Sequence, residues 1–133
     1  MIARPIGVIH SSIKTRAEAP KQSYEGAPDA WLEIYPFAAD GLFRIKAGYE
    51  LIIITWLHQS NRKTLKVHPR SDPKRRLTGV FATRSPDRPN PLGLHRVTVR
   101  KRVGRRLLIG SIGMIDGTPV ADVKVALSCS KDS

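Results

Sequence analysis

The sequence predicts an all-β fold, a single-sheet antiparallel β-barrel of about seven or eight strands. Apolar residues recur mainly with a period of two, the spacing of a strand that has one buried face. The apolar segments are short, they are separated by Gly- and Pro-containing turns, and no long amphipathic helix interrupts them. A chain of 133 residues, 41% of them hydrophobic, can bury one core. We therefore expect one barrel domain over residues 1–133, because closure leaves no exposed sheet edge.

Eight segments are predicted as strands. Residues 31–35 alternate clearly between apolar and polar, and the isoleucine-rich run at 49–57 is typical of a central strand buried on both faces. Gly104, Arg105 and Arg106 have the composition of a hairpin turn, and residues 36–42 can hold one helical turn. The predicted strands are residues 6–11, 31–35, 49–57, 64–67, 79–83, 96–103, 107–112 and 120–127.

The positive charge is concentrated in one segment. The net charge is +12, and residues 62–106 contain 15 Lys and Arg against two acids, Asp72 and Asp87. The rest of the chain carries 8 basic and 9 acidic residues, so this segment supplies the whole excess. Such a field attracts phosphates, which favours nucleic-acid binding. The alternatives are a device for solubility and a patch for an acidic partner.

Two groups of basic residues are the expected contacts with a polyanion. Lys74, Arg75 and Arg76 are consecutive in a polar segment. In the strand at 96–103, regular alternation predicts a polar face with no interleaved acid and an apolar face of valines. The polar face comprises Arg96, Thr98, Arg100 and Arg102, and the apolar face Val97, Val99 and Val103.

Missing features argue against several functional classes. Cys129 is the only cysteine and has no Cys/His cluster beside it, so we expect no internal disulfide and no metal site. No signal-peptide pattern and no membrane-length apolar run are present, so we expect a cytoplasmic protein without a membrane partner. The sequence also lacks a Gly-x-Gly-x-x-Gly fingerprint, a P-loop and a nucleophile elbow.

A proline-rich segment at residues 83–93 is the strongest candidate for a ligand site. Each proline biases the residue before it towards extended geometry, which applies to Ser85, Arg88 and Asn90. A loop stiffened in this way loses less entropy when a ligand binds. Arg84 and Arg88 could clamp a carboxylate or a phosphate through the planar guanidinium. The alternative is a rigid turn whose arginines are simply solvated.

Read together, several segments resemble the TsaA-like family, whose characterised members include a tRNA N6-threonylcarbamoyladenosine methyltransferase. The longest shared motif is Gly79-Val80-Phe81-Ala82-Thr83-Arg84-Ser85-Pro86-Asp87-Arg88-Pro89-Asn90-Pro91-Leu92-Gly93-Leu94, and shorter matches lie at residues 5–9, 19–22, 56–59, 67–70 and 116–120. The resemblance implies a β-barrel that binds S-adenosyl-L-methionine, forms homodimers and methylates tRNA. It marks this chain as a short single-domain member, since longer members have a second domain.

The resemblance also implies roles for particular residues. The cofactor-binding set is Pro20, Lys21, Gln22, His58, Gln59, Arg84, Arg88, Asp116, Gly117, Thr118, Pro119 and Asp122. Within this set, His58 and Asp122 are the candidates for a catalytic proton acceptor. The basic groups Lys74, Arg75, Arg76, Arg100 and Arg102 would hold the RNA.

The sequence departs from the family pattern at Lys21, where arginine is usual, and in the last strand, where Val125 and Ala126 replace the usual Pro-Tyr. Two other functions therefore stay open. The protein could be a methyltransferase of the same family that acts on another RNA or a small molecule. Alternatively, it could be a barrel that binds the cofactor or RNA without catalysis.

Overall fold

In the computed structural model, which describes residues 1–15, 28–110 and 113–127, six strands close into an antiparallel barrel. Two further strands, β4 and β5, lie outside the barrel. In chain order the eight strands are β1 (Gly7–His10), β2 (Ala30–Ile34), β3 (Glu50–Trp56), β4 (Lys66–Val67), β5 (Thr78–Gly79), β6 (Leu92–Val103), β7 (Arg106–Ile109) and β8 (Pro119–Val125). Around the barrel the order is β1-β2-β7-β6-β3-β8. The predicted barrel is confirmed, but β4 and β5 form a separate two-stranded sheet, so fewer strands close the barrel than expected.

The core fills the barrel through alternation along each strand. In β3, Leu51, Ile53 and Thr55 are buried, whereas Ile52 and Ile54 are only partly buried. The prediction that this strand is buried on both faces is therefore wrong for its outer face. The buried hydrophobic cluster comprises Ile9, Ala30, Leu32, Ile34, Leu42, Leu51, Ile53, Val97, Val99, Leu107, Ile109, Met114 and Val120.

A bulge in β6 changes which residues share a face. The register with β7 shifts between Val99 and Lys101, and beyond that point Arg102 lies opposite the buried Leu107. One extra residue in a strand inverts the alternation that follows it. The predicted common face of Arg96, Thr98, Arg100 and Arg102 is therefore wrong past Val99, and Val103 is exposed rather than packed.

Within residues 1–15, 28–110 and 113–127, three short 3₁₀ helices fill connections between strands, at Pro36–Leu42, Pro69–Ser71 and Val80–Ala82. The first confirms the predicted helical turn and buries Leu42. The third takes the place of most of the strand predicted at 79–83. No helix in the three described ranges is long and apolar enough to cross a membrane.

The antiparallel order collects the connections that carry the predicted site residues. One end of the barrel, which we name the loop end, is where β1, β3 and β7 end. The strands β2, β6 and β8 begin at the same end. The chain enters the segments that contain His58, the proline-rich loop and Asp116 from this end. Topology alone therefore brings residues distant in sequence to one edge of the barrel.

Candidate functional site

Two of the predicted site segments, the turn after β3 and the proline-rich loop, are hydrogen-bonded to each other at the loop end. The Leu57 amide donates to the Pro91 carbonyl at 2.7 Å, and the Asn61 amide donates to Asp87 Oδ1 at 2.8 Å. Nε of Arg62 donates to the Pro89 carbonyl at 3.0 Å. These bonds place His58 and Gln59, both exposed, beside the proline-rich loop.

Arg88 is bound within its own loop. Its Nη1 donates to the carbonyls of Thr83 at 3.1 Å and Ser85 at 3.0 Å, and its Nη2 donates to the Val80 carbonyl at 3.0 Å. A guanidinium has five N–H donors, so these three bonds use most of its capacity. Arg84, by contrast, is exposed.

The turn at Asp116 to Pro119 is tied to the end of β1. Asp116 Oδ1 accepts the Ser11 amide at 2.9 Å, and Oδ2 pairs with Lys14 Nζ at 3.0 Å. The Ser11 hydrogen bond, followed by Lys14, lowers the pKa of the Asp116 carboxyl below its ordinary value. The hydroxyl of the buried Thr118 donates to the Ile115 carbonyl at 2.6 Å. Both side chains therefore hold the turn together, and Gly117 and Pro119 offer mainly backbone.

Asp122 lies apart from the turn, within β8 and opposite Ile54 on the outer side of the barrel. Its carboxylate is exposed, accepts the Val123 amide at 2.9 Å and lies 3.7 Å from Lys124 Nζ. It does not join the other predicted residues at the loop end of the same chain. The predicted residues Pro20, Lys21 and Gln22 lie outside the described residues.

The arginines of the barrel wall bond to acids or carbonyls from other parts of the chain. Arg96 pairs with Glu50 at 2.7 Å and Arg100 with Asp29 at 3.1 Å, while Arg102 donates to the carbonyls of Leu42 and Ile45. The expected stripe without acids is therefore wrong at Arg96 and Arg100, because residues distant in sequence supply acids that the local sequence lacks.

The basic residues Lys74, Arg75 and Arg76 are exposed between β4 and β5. Nε of Arg75 lies 3.9 Å from Asp72 Oδ2, a long contact between exposed groups. Within the described part of the chain, no group of three His, Cys, Asp or Glu side chains could hold a metal ion.

Comparison with known proteins shows the family to which the chain belongs. Residues 8–130 match the family described as the tRNA-methyltransferase O N-terminal domain. The chain belongs to this family. A protein of Archaeoglobus fulgidus named S-adenosyl-L-methionine-binding protein is 38% identical over 93% of this chain and 88% of its own. A probable S-adenosyl-L-methionine-binding protein of Methanothermobacter thermautotrophicus is 37% identical over 91% of this chain and 86% of its own.

Solved tRNA-methyltransferase O (TrmO) structures have the same fold. One crystal structure of TrmO superposes with a TM-score of 0.73 at 28% identity, and TrmO from Pseudomonas aeruginosa with 0.70 at 27% identity. Each alignment covers all of this chain but 60% and 58% of the TrmO chain. A further A. fulgidus relative, 42% identical, is matched over 32% of its length. The chain thus spans only part of several members of its family.

In this member of the TrmO N-terminal domain family, a polar pair of one buried and one partly buried residue lies where the proline-rich loop leads into β6. His95 Nε2 is hydrogen-bonded to Thr55 Oγ1 at 3.1 Å, and Thr55 is fully buried. Gly93 packs against both, since a Cβ there would lie 2.5 Å from Thr55 Oγ1 and 2.7 Å from His95 Nε2. The sequence analysis missed His95. This residue precedes Val97 by two positions and Val99 by four, so strand alternation places it on the apolar face that the two valines share.

Burial lowers the pKa of His95 from 6.5 to about 4. The unfolded chain therefore takes up a proton at this histidine near pH 6.5, whereas the folded chain does not until about pH 4. We expect the free energy of unfolding to fall as the pH drops through this window, by roughly 3 kcal/mol in total. Urea titrations at pH 7 and pH 5 measure the upper part of this change, roughly 2 kcal/mol.

The matched comparison is His95→Leu against His58→Gln, which removes an exposed histidine. The pH dependence between 7 and 5 should flatten in His95→Leu and persist in His58→Gln. Equal slopes in wild type and His95→Leu would contradict the prediction. Between pH 7 and pH 5 the change in stability reports mainly on His95, because carboxylates ordinarily titrate at lower pH.

Proposed function

We propose that this protein is an S-adenosyl-L-methionine-dependent methyltransferase that methylates N6 of threonylcarbamoyladenosine in the tRNA anticodon loop. The observation that carries the proposal is the match of residues 8–130 to the tRNA-methyltransferase O N-terminal domain. Two further observations support it: relatives named as binders of the cofactor, and exposed polar side chains at the loop end. Because tRNA is the proposed substrate, we place the protein in the cytoplasm.

The side chains present fit the functional groups of the cofactor. S-Adenosyl-L-methionine has a carboxylate, a sulfonium, ribose hydroxyls and an adenine edge. An exposed guanidinium at Arg84 complements the carboxylate, and the exposed His58 and Gln59 can bond hydroxyls or the base. Asp122 offers an exposed carboxylate for positive or hydroxyl groups. Lys21 and Gln22 with Pro20, and the backbone of Gly117 and Pro119, complete the proposed set.

The cofactor supplies a methyl group already activated by its sulfonium. The chain's own contribution is then to hold the acceptor in line and to exclude water. The lone pair of the acceptor N6 is delocalised into the purine and the carbonyl group, so removal of its proton makes it a better nucleophile. We assign proton acceptance to His58 or Asp122, whose side chains are both exposed to a substrate.

We place the main RNA contacts on Lys74, Arg75 and Arg76. These side chains are exposed, and of the three only the Arg75 side chain forms an ion pair, a long one of 3.9 Å to Asp72. Arg100 and Arg102 are secondary candidates, because each already bonds to acceptors within the protein. An RNA phosphate must compete with those acceptors, which reduces the net free energy of its binding to either arginine.

We also propose a homodimer formed through the outer face of β3 and β6. There Ile54 and Trp56 of β3 lie opposite Leu94 and Leu92 of β6, and both leucines are about half exposed. An exposed apolar face of this kind is typical of an interaction site. Asp122 lies opposite Ile54 on the same face, so dimerisation would bring it to a partner's residues.

A second function, cofactor binding without catalysis, is favoured by one specific observation. The curated relatives are named S-adenosyl-L-methionine-binding proteins, without a stated transferase activity. A methyltransferase with another RNA or a small molecule as acceptor is also compatible with partial coverage of the TrmO chains. The experiment below separates methylation of threonylcarbamoyladenosine from these other functions.

Saturating S-adenosyl-L-methionine should raise the melting temperature, because binding only the native state adds about 2.7 kcal/mol at a hundred times Kd. The protein should then transfer a labelled methyl group from the cofactor to tRNA taken from cells that lack this protein. Nucleoside analysis of the product should place the label on threonylcarbamoyladenosine. Stabilisation without transfer to any RNA would favour the non-catalytic function or a small-molecule acceptor, and no stabilisation at saturation would exclude all of these functions.

Affinity for tRNA should fall steeply with salt, because phosphate neutralisation releases counterions. The triple variant Lys74→Ala/Arg75→Ala/Arg76→Ala should reduce the slope of log K against log salt by roughly two. A matched control, Arg4→Ala/Arg44→Ala/Lys46→Ala, removes the same charge near the opposite end of the barrel and should change the slope much less. Equal effects of the two triples would mean that the RNA surface is elsewhere or diffuse.

Leu94→Glu should convert the dimer to monomers, because it buries a charge in an apolar contact. The control Val103→Glu alters a residue of similar exposure, 53% against 50%, at the far end of the same strand. Sedimentation equilibrium measures the mass of wild type and both variants. A wild type that is monomeric at micromolar concentration, or a Leu94→Glu dimer, would refute this interface.

A further inference from the structure

The three phenylalanines of the chain are all exposed, but their surroundings differ. The guanidinium of Arg4 lies over the Phe37 ring, 3.6 Å from its centroid, and that of Arg44 lies 5.8 Å from the centroid of Phe43. Phe81 is 81% exposed, and within the described ranges no guanidinium or ammonium group lies over its ring. A large apolar ring that the protein itself leaves uncovered is a candidate contact for a partner.

The backbone that carries Phe81 is fixed, although the side chain is exposed. The preceding side chain, Val80, is buried, and the Val80 amide donates to the Leu65 carbonyl at 2.9 Å. The Val80 carbonyl accepts the Thr83 amide at 3.1 Å, the Thr83 hydroxyl at 2.9 Å and Nη2 of Arg88 at 3.0 Å. A ring with two rotatable side-chain bonds on such a backbone loses little entropy when a flat partner covers it.

Phe81 directly follows a part of the chain that concentrates cations. We name residues 65–81, which comprise β4, β5, their connection and Phe81, the basic ribbon. It contains one acid, Asp72, and five exposed cations, which are Lys66, Arg70, Lys74, Arg75 and Arg76. Phe81 lies five positions after Arg76. Even a fully extended chain of that length spans no more than roughly 18 Å, so both residues can contact one short stretch of a polynucleotide.

The connection between β4 and β5 is folded by its own hydrogen bonds. Nδ1 of His68 is hydrogen-bonded to the Arg75 carbonyl at 2.8 Å, and the Ser71 amide donates to the His68 carbonyl at 2.9 Å. Arg70 and Ser71 have φ angles of 57° and 58°, in the left-handed region that residues other than glycine seldom adopt. Such a backbone persists only where its surroundings fix it, so the cations of the connection are presented from a defined conformation.

We infer that the basic ribbon is a binding surface for unpaired nucleotides, in which Phe81 stacks on a base while the cations hold the neighbouring phosphates. The inference rests on the proposed function in one respect, that the substrate is RNA. It goes beyond that function because phosphate contacts alone do not distinguish a single strand from a duplex. Only an unpaired base exposes a face to an aromatic ring, whereas a duplex keeps its bases stacked on each other.

RNA fits this surface better than an apolar protein segment does. A partner that covered Phe81 with apolar side chains alone would also approach the five cations of the basic ribbon and could not neutralise them. A polynucleotide supplies a flat apolar face and negative charge together, in alternation along one strand. Stacking on an aromatic side chain is tolerant of base identity, so the surface should select for unpaired structure more than for sequence.

Two fluorescently labelled RNAs test the inference, a short oligoadenylate and a blunt duplex of equal length. Phe81→Ala should weaken binding of the single strand about five- to hundredfold and leave duplex affinity unchanged, because only the single strand offers a base to stack. Phe81→Trp should retain the wild-type affinity, whereas Phe81→Leu, which is apolar without a ring, should lose nearly as much as Phe81→Ala. Phe43→Ala removes a ring of matched exposure, 79%, near the opposite end of the barrel and should change neither affinity.

Salt titrations separate the base contact from the phosphate contacts. Phe81→Ala should weaken single-strand binding by the same factor at every salt concentration, since the ring neutralises no phosphate. Removal of Lys74, Arg75 and Arg76 should instead reduce the salt dependence for both RNAs. The melting temperature of each Phe81 variant should equal that of the wild type, because the side chain is exposed.

The inference is overturned if the wild type binds neither RNA, or if Phe81→Ala binds the single strand as the wild type does or loses both RNAs equally. Wild-type affinity in Phe81→Leu would also overturn it, because an apolar contact would then suffice without stacking. If Phe81→Ala changes only the mass measured by sedimentation equilibrium, Phe81 belongs to a protein interface and the inference is wrong.

Failure of this inference and failure of the proposed function give different results. A wild type that binds single strands through Phe81 but transfers no methyl group to tRNA would contradict the proposed methylation and leave the stacking contact intact. A wild type that methylates tRNA, with a Phe81→Ala variant of unchanged RNA affinity, would do the reverse.

Discussion

The barrel closes where β1 reaches β8, and the arrangement of the loop end depends on that short contact. The Ile6 amide donates to the Val120 carbonyl at 2.9 Å, and the Ile9 amide donates to the Thr118 carbonyl at 3.0 Å. On its other side, β1 approaches β2 so closely that a Cβ on Gly7 would overlap the Glu33 carbonyl oxygen. Glycine is required there by space, since the neighbouring backbone of β2 is held by its own ladder.

Closure has a direct consequence for the candidate site. The same bonds that join β1 to β8 bring the Asp116 turn against Ser11, while β3 and β6 bring the His58 turn against the proline-rich loop. Within these contacts, acidic and hydroxyl side chains mostly act as internal supports. The groups left for a ligand are the exposed ones, above all Arg84, His58 and Gln59. The candidate site is thus a hydrogen-bonded frame with a small number of exposed polar side chains.

Much of the fold and of the candidate site could be predicted from the sequence, because the sequence patterns that indicate them are local. The period-two pattern identified β2 and β3, and the prolines indicated the ordered loop around Arg88. The roles within that loop could not be predicted, since nothing in the sequence distinguishes an arginine bonded to carbonyls from one in solvent. Arg100 and Arg102 were misjudged for a similar reason: Asp29 and the Leu42 carbonyl are distant in sequence, and a single-residue bulge moved Arg102 to the other side of its strand.

The sequence by itself determined the all-β class, the concentration of positive charge and the ordered proline-rich loop, because these follow from side-chain periodicity, composition and the fixed geometry of proline. The tertiary structure alone decided which cations are neutralised, which guanidinium is free, and that His95 is enclosed beside Thr55. Each of these outcomes depends on pairing between strands far apart in the chain. Register and closure are set by the packing of the whole barrel, and no short window of sequence contains that information.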